Sequence, residues 1–283
     1  MHVTFATDNN YAPLTAVAMY SVCDVVPEVN VTVLADDLDD TARANLARTL
    51  ENHPGARLDI VDVSELVEPL DLPIDHRFNR PHTRTVWASL LLGSVLPGDL
   101  QRTLYLDSDV IVRRNPSTLW ELDLDGNVVA AVLDGLGYPL GGYGGIAYHR
   151  ELGLAPELEY FNSGVLLVDL GAWRRDDVTL QCQEILRKYH HHVIQWDQEI
   201  LNAALAGRWL PLDRRWNCMT WWLPDEECQP PYEDDVEHAV IRHFAGRRDK
   251  PWNHDRPVPH RDEFDRLASG TGVTDGRSWI QPI

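Results

Sequence analysis

Residues 3–34 read VTFATDNNYAPLTAVAMYSVCDVVPEVNVTVL, and the alternation within them sets the fold. Val3–Ala6 is a short apolar run that reads as a buried strand. Pro13 to Cys23 is apolar and rich in helix formers, with Pro13 where a first helical turn tolerates it. Val31–Leu34 is a second strand. The pattern continues outward. Thr41 to Leu50 reads as a helix capped by Asp39 or Asp40, with Ala42, Leu46 and Leu50 spaced by four. Leu58–Val63 is a strand, Thr85 to Leu96 a helix and Thr103–Leu106 a strand. Strand–helix alternation of this kind predicts an α/β protein with a Rossmann-like, mostly parallel central sheet and helices on both faces.

The pattern changes after Asp107. Val128–Leu133 and Val165–Val168 read as strands, separated by the glycine-rich stretch Gly135 to Gly145. That stretch contains no GxGxxG and is either a mobile loop or a ligand lid. Trp173–Tyr189 and Trp196–Ala206 read as helices, and Ala239–Ile241 as a short strand. From about residue 213 the chain reads as irregular, with an acidic, solvated loop from Asp225 to Glu237. There are no internal repeats. The expectation is one domain over residues 1–255 with a C-terminal extension at 256–283.

Composition narrows the function. Lys plus Arg number 25 against 44 Asp plus Glu, a formal net charge of −19. This argues against nucleic-acid partners and a polybasic membrane anchor. It leaves room for an anionic small ligand, because a divalent metal or a few placed cations reverse the field locally. No run of apolar residues is long enough for an integral membrane segment, and the N-terminus lacks the layout of a signal peptide. Cys23, Cys182, Cys218 and Cys228 show no CxxC, which fits reduced thiols and a cytoplasmic protein.

Four segments carry residues suited to chemistry. In Leu104-Tyr105-Leu106-Asp107-Ser108-Asp109-Val110, two carboxylates two apart sit where an apolar strand ends, the place where open α/β sheets bind ligands. They suit a hard cation such as Mg²⁺ or Mn²⁺, or else form a polar corner. Asp8 ends the first strand at the same sheet edge, where either Asp8 and Asn10 read a base or ribose edge or Asp8 or Asn9 caps the next helix. His243 to Trp252 offers an imidazole, a close-approach glycine (Gly246) and Lys250, one of only two lysines. Together they fit a metal–diphosphate site; His243 alone would read as a buried core histidine. Asp197 and Gln198 open a helix, favourable for an anion, with Asp197 equally readable as an N-cap. His190-His191-His192 reads as a solvated face. Eight of ten tryptophans lie after residue 172. Most read as core, with Trp221 and Trp222 able to stack on sugar.

Taken together, the chain resembles the family 8 glycosyltransferases, the group that includes glycogenin and bacterial lipopolysaccharide α-galactosyltransferases. The carrying residues, in family order, are Phe5 to Tyr11, Leu104 to Val110, Tyr160-Phe161-Asn162-Ser163-Gly164-Val165, Trp196 to Asn202, and His243-Phe244-Ala245-Gly246 with Lys250-Pro251-Trp252. The resemblance implies a GT-A fold and metal-dependent, retaining transfer of a hexose from a UDP-sugar to the hydroxyl of a glycan or small molecule. By the family pattern, Asp107, Asp109 and His243 would hold Mn²⁺ (or Mg²⁺). Asp8 and Asn10 would contact the uridine, Gly246 and Lys250 the diphosphate, and Ser108 the donor. Asn162, Asp197 and Gln198 would line the reacting sugar, with Asp134 near the sugar or acceptor.

Two departures stand out. Ser89 occupies the position, four residues before Gly93, where the family usually places an arginine, with Arg80 and Arg84 nearby. The stretch from Gly246 to Lys250 is one residue longer than the usual GxxKPW. The alternatives to a transferase are an inactive nucleotide-sugar-binding protein and an aspartyl-phosphate phosphatase.

Overall fold

The computed structural model describes residues 1–73, 83–135, 139–219, 237–245, 250–252 and 260–272. Its main sheet has seven strands in the order β3-β2-β1-β4-β7-β6-β8. These are β1 (His2–Asp8), β2 (Val29–Asp36), β3 (Ala56–Asp62), β4 (Arg102–Leu106), β6 (Val129–Leu133), β7 (Phe161–Asp169) and β8 (Trp209–Pro211). β7 is antiparallel to both neighbours, β4 and β6, while the other pairings are parallel. The expected α/β architecture is present.

Both faces of the sheet's inner strands are covered, so β1, β2, β4, β6 and β7 are buried along most of their length, while edge strand β3 is not. Along β7, Leu166 and Val168 enter one core with Trp87, Leu90, Trp173, Leu186 and Ile200. Val165 and Leu167 enter the other with Val3, Phe5, Met19, Val33 and Leu46. This is the alternation a pleated strand imposes. Helix α1 (Ala12–Val25) follows β1, and α2 (Asp40–Thr49) follows β2. Asp39 caps α2 by accepting from Ala42 N at 2.7 Å. Short helical turns α3 (Ser64–Val67), α4 (Leu92–Val95) and α5 (Ser117–Trp120) link strands.

Four sequence readings change. The helix expected over Thr85–Leu96 is a 3₁₀ segment, Arg84–Leu91, followed by the single turn α4. Thr85, Trp87, Ala88, Ser89, Leu90 and Leu91 are all buried, so tertiary packing sets this backbone more than local preference does. A Cβ at Gly93 would overlap the Trp173 ring. The helix expected over Trp173–Tyr189 is two, α6 (Leu170–Arg175) and α7 (Val178–Tyr189), broken where Asp177 takes φ +49°. The third helix, α8 (Trp196–Ala204), stops two residues early, before Gly207 at φ +70°.

The fourth change concerns the part read as irregular. β5 (Val110–Val112), β10 (Ile241–His243) and β9 (Cys218–Met219) form a second sheet, so His243 lies within a strand. Beyond it, α9 (Arg261–Gly270) packs Phe264, Leu267 and Ala268 against Leu14 and Val17 of α1. In the glycine-rich stretch, Leu140 is buried and donates to Leu158 O at 2.6 Å. Gly141 N donates to Pro156 O at 2.9 Å, so residues 140–141 are tied to 156–158. Trp221, Trp222, Gly246, Arg80, Cys228 and most of the acidic loop lie outside the described residues. Among the described residues, no helix is long and apolar enough to cross a membrane.

Candidate active site

Parallel pairing of β1 with β4, Val3 opposite Leu104 and Thr4 opposite Tyr105, brings Asp8 and Asp107 to one edge of the sheet. The turn after β4 is pinned by Ser108. Its hydroxyl donates to Ala6 O at 3.0 Å and lies 2.8 Å from Thr15 Oγ1. Ser108 thus anchors its side chain to β1 and α1, with the two aspartates on either side of it in sequence. Asp8 Oδ1 accepts from Tyr11 N at 2.9 Å, shaping the entry to α1. Asn10 is exposed on the same turn.

The second sheet supplies the imidazole. His243 in β10 sits opposite Val110 in β5, and Asp109 O accepts from Phe244 N at 2.9 Å. His243 Nε2 is 3.2 Å from Asp109 Oδ1 and 3.9 Å from Asp107 Oδ2. Ligand atoms of the three residues all lie within 4.8 Å of one another. Two carboxylate oxygens and one imidazole nitrogen converging in this way suit a divalent ion with open positions for phosphate oxygens and water. Lys250 Nζ donates to Asp109 Oδ2 at 2.5 Å and to Phe244 O at 2.6 Å. Burial and the neighbouring Asp109 charge push the Asp107 carboxyl upward. Burial acts the same way on Asp109, but Lys250 and His243 outweigh it and hold that carboxyl well below the usual range.

Gly164 makes this corner possible. Asp107 N donates to Gly164 O at 2.9 Å. A Cβ on Gly164 would overlap His243 Cε1 and lie 2.8 Å from Asp107 Oδ2. The two ligands occupy the volume a side chain would take.

Because β7 is antiparallel to β4, its first residues lie beside the end of β4. Asn162 Nδ2 donates to Gln198 Oε1 at 2.9 Å and approaches Asp134 Oδ2 at 3.3 Å. Gln198 Oε1 also accepts from Ser163 N at 3.2 Å, while Gln198 Nε2 donates to Asp134 Oδ2 at 3.1 Å. Asp197 Oδ2 accepts from Ser89 Oγ at 2.9 Å and from Ser163 Oγ at 3.5 Å. Burial, then the Asp107 charge, pushes the Asp197 carboxyl up to about 7. Arg84 is held elsewhere: its Nε donates to both Asp36 oxygens at 3.0 and 2.9 Å, at the end of β2.

Asp197 is not the helix cap. The N-cap is Gln195, which makes no side-chain capping bond, and Glu199 reaches back instead. Its Oε2 accepts from Ile194 N at 2.8 Å and Gln195 N at 3.1 Å. Trp196 between them takes φ +49°, an uncommon backbone state held by its surroundings. Glu199 is fully buried, which pushes its carboxyl up to about 7.

Sequence reasoning therefore placed Asp8, Asn10, Asp107, Asp109, Asn162, Asp197, Gln198, His243 and Lys250 at one end of the fold. It assigned no role to Asn217, an isolated amide, nor to Ser163 and Glu199, which lie inside the quoted segments Tyr160 to Val165 and Trp196 to Asn202. Asn217 is fully buried between Asn162 and His243.

Comparisons with known proteins identify the family and the fold. The chain is 25% identical over 284 residues to general stress protein A of Bacillus subtilis (strain 168), covering 96% of this chain and 94% of that one. It is 27% identical over 265 residues to the lipopolysaccharide 1,2-glucosyltransferase of Escherichia coli (strain K12), 89% of this chain and 73% of that one. Four streptococcal glycosyltransferases that it matches are longer, and the chain covers 19 to 48% of their length. Among solved structures, the galactosyltransferase LgtC in complex with donor and acceptor sugar analogs matches with a TM-score of 0.77. The identity is 30%, over 95% of each chain. The GT-A architecture is common to both. The profile described as "Glycosyl transferase family 8" matches residues 2–256, which takes in every site residue named above. The chain belongs to glycosyl transferase family 8.

Proposed function

We propose that this glycosyltransferase moves a hexose from a UDP-sugar to an acceptor hydroxyl with retention of configuration, and that it needs a divalent ion to do so. The observation that carries the reading is the joining of two clusters by hydrogen bonds: Asp107, Asp109, His243 and Lys250 on one side, Asn162, Gln198 and Asp134 on the other. The first suits a metal and a diphosphate, and the second a polyhydroxylated sugar. A bound Mn²⁺ would supply Lewis-acid stabilisation of the departing diphosphate, held by Asp107, Asp109 and His243. Lys250 would add a fixed cation at the same corner, and Asp8 and Asn10 would meet the uridine. Gly246 and the Ser108 turn would complete the phosphate contacts, and Asp134 would face the sugar or acceptor. Family membership sets the phosphatase reading aside.

The Gln198 environment favours a front-face route over a covalent relay. Its Oε1 already accepts two hydrogen bonds, from Asn162 and Ser163 N, and carries no full charge. Gln198, Asn162 and Asp197 then orient the sugar while the acceptor arrives on the face that UDP leaves. UDP-glucose and UDP-galactose are the favoured donors, with UDP-N-acetylglucosamine the next, because Ser89 leaves more room than an arginine. A soluble glycan or small molecule is the favoured acceptor. The described cysteines, Cys23, Cys182 and Cys218, are buried, and a cytoplasmic location is the favoured one. Ser89 also favours a second reading, that of an inactive sugar-nucleotide-binding protein.

Release of UDP with and without Mn²⁺ tests the proposal. Asp107→Ala and Asp109→Ala are expected to lower turnover by orders of magnitude while circular dichroism stays native. Full transfer in EDTA would overturn metal dependence. Binding of UDP-sugar without turnover would establish the inactive reading.

A further inference from the structure

Hydrogen-bond direction can be traced through the site without assuming any proton. Gly164 N–H is a backbone donor, and it donates to Asn162 Oδ1 at 3.0 Å. Asn162 Oδ1 is therefore an acceptor, and its amide nitrogen faces Gln198 Oε1. Ser163 N–H likewise fixes Gln198 Oε1 as an acceptor, turning Gln198 Nε2 towards Asp134. Asn217 meets Asn162 Oδ1 at 2.8 Å, so the Asn217 atom there must be its Nδ2, donating. Asn217 Oδ1 then faces His243 Nδ1 at 2.9 Å, and that ring nitrogen must be the donor. A histidine that donates from Nδ1 presents Nε2 to the two aspartates, the arrangement a metal-binding imidazole needs.

Asn217 is delivered to this position by local structure. Asp213 caps the 3₁₀ turn Arg214–Trp216, accepting from Arg215 N at 3.0 Å, and Asn217 N donates to Arg214 O at 3.0 Å. β9 begins at the next residue and pairs in parallel with β10, with Met219 opposite His243.

We propose that Asn217 is a positioning residue that fixes the His243 ring for metal binding and, through Asn162, holds the sugar-side amides in register with the metal. This rests on the reading of Asp107, Asp109 and His243 as a divalent-metal site. Two backbone N–H groups on β7 thus set the direction of a chain running from Asp134 to His243, and Asn217 is the link where the two halves meet. Its two ends can be tested separately, because one side accepts and the other donates.

The test uses the whole protein, two variants and two readouts: Mn²⁺ affinity by titration calorimetry in the presence of UDP, and steady-state transfer. Asn217→Leu keeps the approximate size and loses both bonds. It is expected to weaken Mn²⁺ binding about 10- to 100-fold and to lower kcat. Asn217→Asp keeps an acceptor for His243 Nδ1 and loses the donor to Asn162. Its Mn²⁺ affinity is expected to stay within about threefold of wild type or to tighten, while kcat falls about tenfold or more with less change in donor KM. A purely structural role would move both readouts together with the thermal midpoint in both variants, and that result overturns the proposal. So does wild-type Mn²⁺ affinity in a folded Asn217→Leu protein. If that variant does not fold, Asn217→Asp decides alone: loss of Mn²⁺ binding or unchanged kcat overturns the assignment. Wild-type protein that binds no Mn²⁺ overturns the reading of the site and this proposal with it. Mn²⁺ binding that is lost in Asp107→Ala but indifferent to position 217 overturns this proposal alone.

Discussion

Asp197 is held by hydroxyls at a place where the family usually provides a guanidinium. Ser89 Oγ donates to it at 2.9 Å, while burial, then the Asp107 charge, pushes the carboxyl up to about 7. Removing that donor in Ser89→Ala should lower kcat about tenfold, the equivalent of one hydrogen bond to a charged group, with a smaller effect on UDP binding. Equal losses in both would mean that Asp197 acts on the nucleotide. Ser89→Arg is the complementary probe. Ser89 is fully buried, so a planar fork there must displace neighbouring groups, and on the proposed reading the donor sugar is one of them. Transfer from the native donor is expected to fall, and a smaller hexose is the one it could rescue. Faster transfer from the native donor would show the pocket to be weakened rather than reshaped.

The start of α8 is the element on which the placement of Asp197 and Gln198 depends. One carboxylate oxygen of Glu199 accepts from two backbone N–H groups, and this fixes the entry that presents Asp197 and Gln198. Glu199→Ala should cost about 2–4 kcal/mol, because two partly buried donors lose their partner, and should lower kcat as the helix start loosens. Glu199→Gln keeps an acceptor without a buried charge and should remain near wild type in thermal midpoint. If the alanine variant melts as wild type does, the helix start is held by packing alone. This element also marks how far the sequence could be read. Strands whose both faces are buried announce themselves as apolar runs, and carboxylates at their ends announce a site. The 3₁₀ path of Arg84–Leu91 did not show, because that segment is buried on nearly every side and lacks a helical stripe. Nor did Asn217 or Glu199: what an isolated amide or carboxyl does is decided by which atoms face it, and those come from distant parts of the chain.

At the scale of the whole molecule, the sheet carries a polar plug at the end opposite the site. The His2 ring lies between Thr103 Oγ1 at 2.9 Å and Thr32 Oγ1 at 3.1 Å, and burial lowers its pKa to about 4. An unfolded histidine takes up its proton near pH 6.5, so between those values the unfolded chain binds more protons than the native one. Stability from this group is intact above about 6.5 and declines as pH falls towards 4, by about 2 kcal/mol once partial solvent access is allowed for. Melting profiles of wild type and His2→Asn from about pH 7.5 to about pH 4.5 check this: the variant should lose less over that interval. Parallel loss in both would place the acid sensitivity elsewhere.

The small sheet has a consequence in time. β10 carries His243, and every strand of the large sheet precedes it in the chain. During synthesis all seven of those strands leave the ribosome before Ile241 does. A nascent chain therefore carries the two carboxylates, and the Gly164 hollow beside them, for a period with no imidazole to fill it. The imidazole arrives after every strand of the large sheet, so a chain released before Ile241 would bring that sheet without His243.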